Sequence, residues 1–236
     1  MARTVICGDI HGRRIWRDIV EREAPQRVVF LGDYVSSHQG IDAVTQIDNL
    51  HDILDFDGCE KIMLRGNHDL QHLGYYWAAC SGFDREVAHA MQQMKTEFLE
   101  ATQWAYRLEA GDRQVVMSHA GISQPWLDEV VRTVDVDSPA WIDDLNLLDP
   151  SEKFGFNGEP GDFTGESPAQ PCTWIRPYSL LLNAVKGYTQ VVGHTPQLAV
   201  RKISLPDGDG AIWLCDALGS RSYLVIADDR FIIRTI

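Results

Sequence analysis

No run of apolar residues in the sequence approaches the roughly 20 needed to cross a bilayer as a helix. Lys and Arg number only 21 against 34 Asp and Glu, for a formal net charge of −13. The first absence removes the reason to expect a membrane partner. The second removes the basic footprint that duplex nucleic acid or an anionic lipid surface would require. The excess of acid selects no partner of its own, since an acidic surface serves solubility as well as cation binding. Cysteine is scarce: Cys7, Cys59, Cys80, Cys172 and Cys215 are scattered with no CxxC pair. That odd, unpaired set fits reduced thiols rather than a disulfide framework or a thiolate metal site. Reduced thiols make the expected location cytoplasmic, and the opening residues "MARTVICGDI" lack the long apolar stretch of a signal peptide, so none is expected. No internal repeat or low-complexity tract is present.

What the sequence does contain is the composition of a globular chain, 44% hydrophobic and 23% charged over 236 residues, enough to bury a sizeable core. We expect one domain over residues 1–236. Residues 4–8 and 27–31 read as buried strands, 14–24 and 41–56 as amphipathic helices, and 61–65 as a third strand. This β-α-β-α-β order predicts an α/β sheet with crossover helices. A helix is expected over 84–103, and a hairpin over 106–119 around Gly111-Asp112. Residues 135–171, with Pro139, Pro150, Pro160, Pro168 and Pro171, read as a long surface excursion near the site. A helix at "SLLLNAVKG", a strand at "YTQVVG" and three more strand candidates follow, predicting a second, largely antiparallel portion of sheet.

Five predicted strands end in polar clusters: "CGDIHG" (7–12), "LGDYV" (31–35), "LRGNHD" (64–69), "MSHAGI" (117–122) and "VVGHTP" (191–196). Ligand sites of open α/β sheets gather beyond the carboxyl ends of strands, so these tips can converge. They offer Asp9, His11, Asp33, Asn67, His68, His119 and His194. Carboxylate, imidazole and amide oxygen together suit borderline divalent cations such as Mn, Fe or Zn. Two cations about 3.5–4 Å apart can share one carboxylate, and with only two strand-tip aspartates one of them has to bridge. Each residue alone has a plainer use. A strand-end Asp commonly caps a helix, and a lone His is commonly structural. The order and number of the clusters carry the reading.

Taken together, "GDIHG", "GDYVSSHQG", "LRGNHD", "SHAGI" and "GHTP" resemble the calcineurin-like metallophosphoesterases. Within them the likeness is to the branch holding phosphoprotein phosphatases and symmetric dinucleoside tetraphosphatases. The resemblance frames residues 5–69 and 113–226. It implies a β-sandwich of two mixed sheets flanked by helices, with a dimetal site at strand C-terminal ends. Asp9, His11 and Asp33 would hold a first metal, and Asp33 would bridge to a second completed by Asn67, His119 and His194. Mn is the first expectation, with Fe, Zn, Ni or Co as alternatives. A hydroxide shared by the two metals would attack phosphorus, and His68 would protonate the leaving group. Arg176 in "TWIRP" would grip the phosphate beside Asn67, and Asp216 would support the site.

The match breaks after "GDYV", where Ser36-Ser37 stand in place of the family's Asp-Arg. In the phosphoprotein phosphatases that aspartate orients the catalytic histidine and that arginine is a second phosphate clamp. His38 could offer a polar contact to phosphate beside the missing arginine. Three functions follow. The first is hydrolysis of a phosphoester on a phosphorylated small molecule, nucleotide or phosphoprotein. The second is hydrolysis of a dinucleoside polyphosphate. The third is a non-catalytic metal-bound interaction module, against which the intact ligand set and His68 argue. Of the other polar residues, Arg65 reads as a structural ion pair, His51 and His89 as solvated or capping, and His72 as close enough to His68 to matter.

Overall fold

Residues Thr4–Cys7 (β1) and Arg27–Phe30 (β2) are apolar at nearly every position rather than at alternate ones. Side chains of a strand point to opposite faces in turn, so such strands need cover on both sides. The structure, a computed structural model that describes residues 3–36, 39–157, 164–206, 208 and 210–236, supplies both covers. One face of this sheet sends Ile6, Val29, Leu31 and Leu64 against Val115, Met117, Val191 and Trp213 of a second sheet. The other sends Val5, Cys7, Val28 and Phe30 against Trp16, Ile19, Leu50, Ile53, Val87, Met91 and Phe98 of a helical layer.

The helices are α1 (Ile15–Glu23), α2 (Ala43–Leu54), α3 (Asn67–His72), α4 (Arg85–Gln93), α5 (Lys95–Ala101), α6 (Trp141–Asn146) and α7 (Pro177–Asn183). The remaining strands are β3 (Glu60–Met63), β4 (Ala105–Ala110), β5 (Arg113–Ser118), β6 (Tyr188–Val192), β7 (Arg201–Ser204), β8 (Ala211–Leu214), β9 (Ser222–Ala227) and β10 (Arg230–Thr235). They form two five-stranded sheets, ordered β10-β9-β1-β2-β3 and β4-β5-β6-β8-β7. In the first, β1 pairs in parallel with β2 and β2 with β3. In the second, β5 pairs in parallel with β6 and β6 with β8. Two mixed sheets flanked by helices are therefore the architecture, as expected.

Three local expectations are corrected. The second sheet is not largely antiparallel, because its three central strands run parallel. The last two strands, β9 and β10, return to the first sheet beside β1. The helix expected over 84–103 is two, α4 and α5, which meet at Met94. There the Lys95 ammonium donates to Leu73 O and lies over the Tyr75 ring, drawing the start of α5 onto the turn after α3. Residues 135–171 are not a surface excursion throughout. Trp141, Ile142, Leu145 and Phe154 are buried with Trp104 and Trp126 in one cluster. Phe154 stacks on Trp104 with ring centroids 3.6 Å apart, and Asn146 Oδ1 accepts from the backbone N–H groups of Trp104 and Ala105. Proline density marked irregular backbone here, and irregular backbone can still deliver core side chains.

Among the described residues no helix is long and apolar enough to cross a membrane. Replacing Phe154 with Ala should cost about 3 kcal/mol or more, the usual range for emptying a buried aromatic site. Urea unfolding of the two proteins measures it, and a loss under about 1 kcal/mol would show that the segment does not belong to the core.

Candidate functional site

Both sets of parallel strands end on the same side of the molecule. Asp9 and His11 follow β1, Asp33 follows β2, and Asn67 opens α3 just after β3. His119 follows β5, His194 follows β6 and Asp216 follows β8. Asp9, His11 and Asp33 are buried, and each offers a ligand atom within 4.8 Å of the others. Asp9, His11, Asp33, Asn67, His68, Arg176, His194 and Asp216 line one cavity of 270 Å³, with Trp174 and Cys80 on its wall. His119 lies just behind, fully buried. All the described residues expected at the site are thus brought together. His38 and Ser37 lie outside the described residues.

Glycines make this convergence possible by close approach. A Cβ on Gly66 would stand 2.1 Å from Asp33 Oδ1, and one on Gly193 would stand 2.1 Å from Asp9 Oδ1. These two glycines make room for the carboxylates of other motifs, while Gly8 and Gly32 let the backbones at Cys215 and Gly66 come close. The backbone is also bent hard. His11, Asp33, Ser36 and His194 all have φ between 45° and 69°, a left-handed conformation that costs non-glycine residues on the order of 1–3 kcal/mol each. Such strain persists where surrounding contacts over-determine it. Here His11 N–H donates to Asp33 O at 2.7 Å, His194 N–H to Asp9 Oδ1 at 2.9 Å, and His68 N–H to Asp33 Oδ1 at 3.0 Å.

The imidazoles are oriented from behind. His11 Nδ1 lies 2.9 Å from Val35 O, and His119 Nδ1 lies 2.8 Å from Leu31 O. A carbonyl only accepts, so both Nδ1 atoms carry the proton and both Nε2 atoms present a lone pair. The His11 Nε2 lone pair faces Asp9 Oδ2 and Asp33 Oδ2, each at 3.9 Å. The His119 Nε2 lone pair faces Asp33 Oδ2 at 3.5 Å and Asn67 Oδ1 at 3.0 Å. His194 Nδ1 lies 3.2 Å from the same amide oxygen. Acceptors aimed at acceptors in a buried site are unfavourable unless a cation or a proton sits among them. The donor set of carboxylate, imidazole and amide fits a divalent metal.

The electrostatics agree. Burial, and then the charges of Asp216 and Asp33, push the Asp9 carboxyl well above the usual carboxylate range. Burial, and then Asp69, do the same to Asp33. Burial also raises Asp216 to about 6, against the pull of Arg13 and Arg176, and lowers His119 to about 3. A bound cation reverses this logic for the carboxylates and keeps the imidazoles unprotonated.

Arg176 stands at the cavity wall. Its Nε donates to Thr164 O at 2.9 Å, and its Nη1 to Thr195 Oγ1 at 3.2 Å and His194 O at 3.4 Å, which fixes the guanidinium plane. Arg65 is different from expectation. It makes no ion pair among the described residues and instead donates to Thr102 Oγ1, Thr102 O and Leu99 O, with its guanidinium over the Trp104 ring. Burial lowers it to about 10. It fastens β3 to the end of α5. His51 and His89 are exposed. His72 is buried and structural: Nδ1 donates to His68 O at 2.7 Å and Nε2 accepts Asp84 N–H at 3.1 Å.

Two residues near the site were not singled out from sequence. Asp69 accepts the N–H groups of Asp33, Tyr34 and Gly66 at 2.8–2.9 Å, tying the Asp33 loop to the start of α3. Burial lifts its carboxyl to about 7 while those three donors favour its charged form. An acid three residues past a helix N-cap is a capping signal readable in "GNHD". Cys80 lies 3.5 Å from His68 Nδ1 through its sulfur, and burial pushes that thiol up to about 12. No local pattern in "AACSG" announces that contact.

The family model described as calcineurin-like phosphoesterase matches residues 2–215. No curated protein sequence is matched by the chain. Among solved structures, a cold-active protein-tyrosine phosphatase of a psychrophile Shewanella species is similar, with TM-score 0.58 and 18% identity. That match covers 100% of this chain and 78% of the other. A protein serine/threonine phosphatase from Saccharomyces cerevisiae, with similarity to human phosphatase PP5, gives TM-score 0.52 and 14% identity over 99% of this chain and 79% of that one. At such identities the likeness is one of fold.

The crowded carboxylates generate a prediction. Asp9, Asp33, Asp69 and Asp216 are all raised in the metal-free fold. Their protonation therefore stabilises that fold below about pH 4, the unfolded-state value, and the part due to Asp216 and Asp69 is lost as pH rises through about 6 and about 7. Bound cation should add about 2.7 kcal/mol at a hundredfold excess over its dissociation constant, with a benefit that grows across this window. Melting temperatures of chelated and Mn-supplied protein are expected to diverge from pH 4 to 7. A gap that is zero or independent of pH would contradict a metal site at these residues.

Proposed function

Starting from the fact that this chain belongs to the calcineurin-like phosphoesterase family and is a metal-dependent phosphatase, we propose that it hydrolyses phosphomonoesters at a two-metal centre. Asp9, His11 and Asp33 would hold one cation, and Asn67, His119 and His194 the other, with Asp33 shared. The observation that carries this reading is the set of lone pairs turned on one another, above all His119 Nε2 and Asn67 Oδ1 at 3.0 Å. When bound, two divalent cations supply a lowered pKa for water and stabilise charge on the phosphoryl group. Manganese is the metal we would supply first, since oxygen and imidazole donors without thiolate suit it.

The chain's own residues do the rest. Arg176, its plane already set by Thr164, Thr195 and His194, binds phosphoryl oxygens in a way a lysine ammonium cannot. Trp174 closes one wall of the cavity and packs edge-on against His194, excluding water from that side. His68 donates a proton to the departing oxygen. It is 8% exposed, lines the cavity, and has its backbone fixed by Asp33. A cavity of 270 Å³ is below the range that engulfs a drug-sized ligand. It suits the phosphoryl end of a substrate and leaves the rest outside, which favours a monoester over burial of a whole dinucleotide. The compartment we propose is the cytoplasm, on the unpaired cysteines alone.

Turnover of phenyl phosphate and p-nitrophenyl phosphate with Mn, Ni, Co or Zn tests the reading, and no hydrolysis with any of them would end it. Diadenosine tetraphosphate assayed alongside should be cleaved more slowly than the esters. His68→Ala should lower kcat by about 10²–10⁴-fold, more on phenyl phosphate, whose leaving group needs the proton. Arg176→Ala should raise KM by about tenfold or more, and Arg176→Lys should fail to restore it.

A further inference from the structure

We infer that Cys80 is a positioning residue for His68, holding the ring through Nδ1 so that Nε2 faces the cavity; this rests on the general-acid role proposed for His68. The Cys80 sulfur stands 3.5 Å from His68 Nδ1 and lines the same cavity. A thiol can donate to a bare Nδ1 or accept from a protonated one.

The segment that carries Cys80 is fastened from several sides, mostly by the helix that carries His68. Gln71 Oε1 accepts Cys80 N–H at 2.6 Å, and Gln71 Nε2 donates to Ser81 O at 3.4 Å. His72 Nε2 accepts Asp84 N–H at 3.1 Å while its Nδ1 bonds His68 O, and the Phe83 ring stacks on the His72 ring at 5.3 Å. From the opposite side Ser36 Oγ donates to Gly82 O at 2.9 Å. Ser36 is buried and holds a left-handed backbone. By the motif resemblance it stands at the position where phosphoprotein phosphatases have the aspartate that orients the catalytic histidine. Here the serine hydroxyl anchors the loop at Gly82, and the loop delivers a sulfur to the nitrogen. A neutral sulfur is a weak hydrogen-bonding group, so it fixes the direction of the ring while stabilising the imidazolium less than a carboxylate would.

Steady-state kinetics on the Mn-supplied enzyme with two leaving groups separate this from a structural role. Cys80→Ala should lower kcat on phenyl phosphate about tenfold, a fraction of the general-acid contribution, with KM within about twofold. On p-nitrophenyl phosphate, whose leaving group needs little protonation, the loss should stay under about threefold. Cys80→Ser, which retains a donor and acceptor, should recover most of the rate. Cys80→Val fills the volume without a hydrogen-bonding group and should behave as Cys80→Ala if the alanine variant does not fold. In a His68→Ala background, Cys80→Ala should cost nothing further. Equal losses on both esters, or an added tenfold loss in the His68→Ala background, would overturn the positioning role while leaving His68 as the acid. If His68→Ala alone leaves kcat unchanged, the acid assignment falls, and this inference with it.

Discussion

Two carboxylates, Asp9 and Asp33, are buried within reach of each other, with imidazole and amide lone pairs turned toward them. In a protein interior that arrangement is sustainable only with positive charge or protons among the oxygens. The rest of the molecule is arranged to hold this unfavourable cluster together. Backbone N–H groups of His68 and His194 grip the carboxylates from one side. Carbonyls of Leu31 and Val35 turn the histidines from behind. The left-handed backbone at His11, Asp33 and His194 is a further cost, and the packed sandwich beneath offsets it.

The sandwich is what permits the convergence. Three parallel strands in each sheet end on one side, and the apolar faces between them set the spacing of the two sheets. Residues from sequence positions as far apart as 9 and 194 then meet through a hydrogen bond of 2.9 Å. Tight glycines at 66 and 193 let the loops interlock, and Asp69 ties two of those loops with three donors. The strand-tip loops thus form one interconnected unit, in which displacing one carboxylate disturbs the others.

Ser36 ties the loop after β2 to the segment that follows α3. Its hydroxyl reaches Gly82 O rather than the histidine ring, and the loop it secures carries Cys80 to His68 Nδ1. The same loop is secured by Gln71 and His72, side chains of the short helix that begins with Asn67 and His68. The metal ligand and proton donor we propose, Asn67 and His68, and the loop clamps therefore belong to six consecutive residues, so their relative positions follow from one turn and a half of helix.

The motif residues Asp9, His11, Asp33, Asn67, His68, His119 and His194 were legible in the sequence because each sits just past an apolar run, with a glycine within two residues. That is a local pattern set by strand burial and turn chemistry. So were β1, β2, β3 and the hairpin of β4 and β5, whose side-chain pattern is also local. The burial of Phe154 and Trp141, the return of β9 and β10 to the first sheet, and the clamp on Cys80 were not legible. Each depends on which surfaces meet across the chain, and no spacing within "AACSG" or between prolines encodes a partner distant in sequence. The sequence by itself determined the chemistry on offer and the strand tips that present it. Only the tertiary structure decided which nitrogen faces which oxygen, because that is fixed by the carbonyls and N–H groups of other strands.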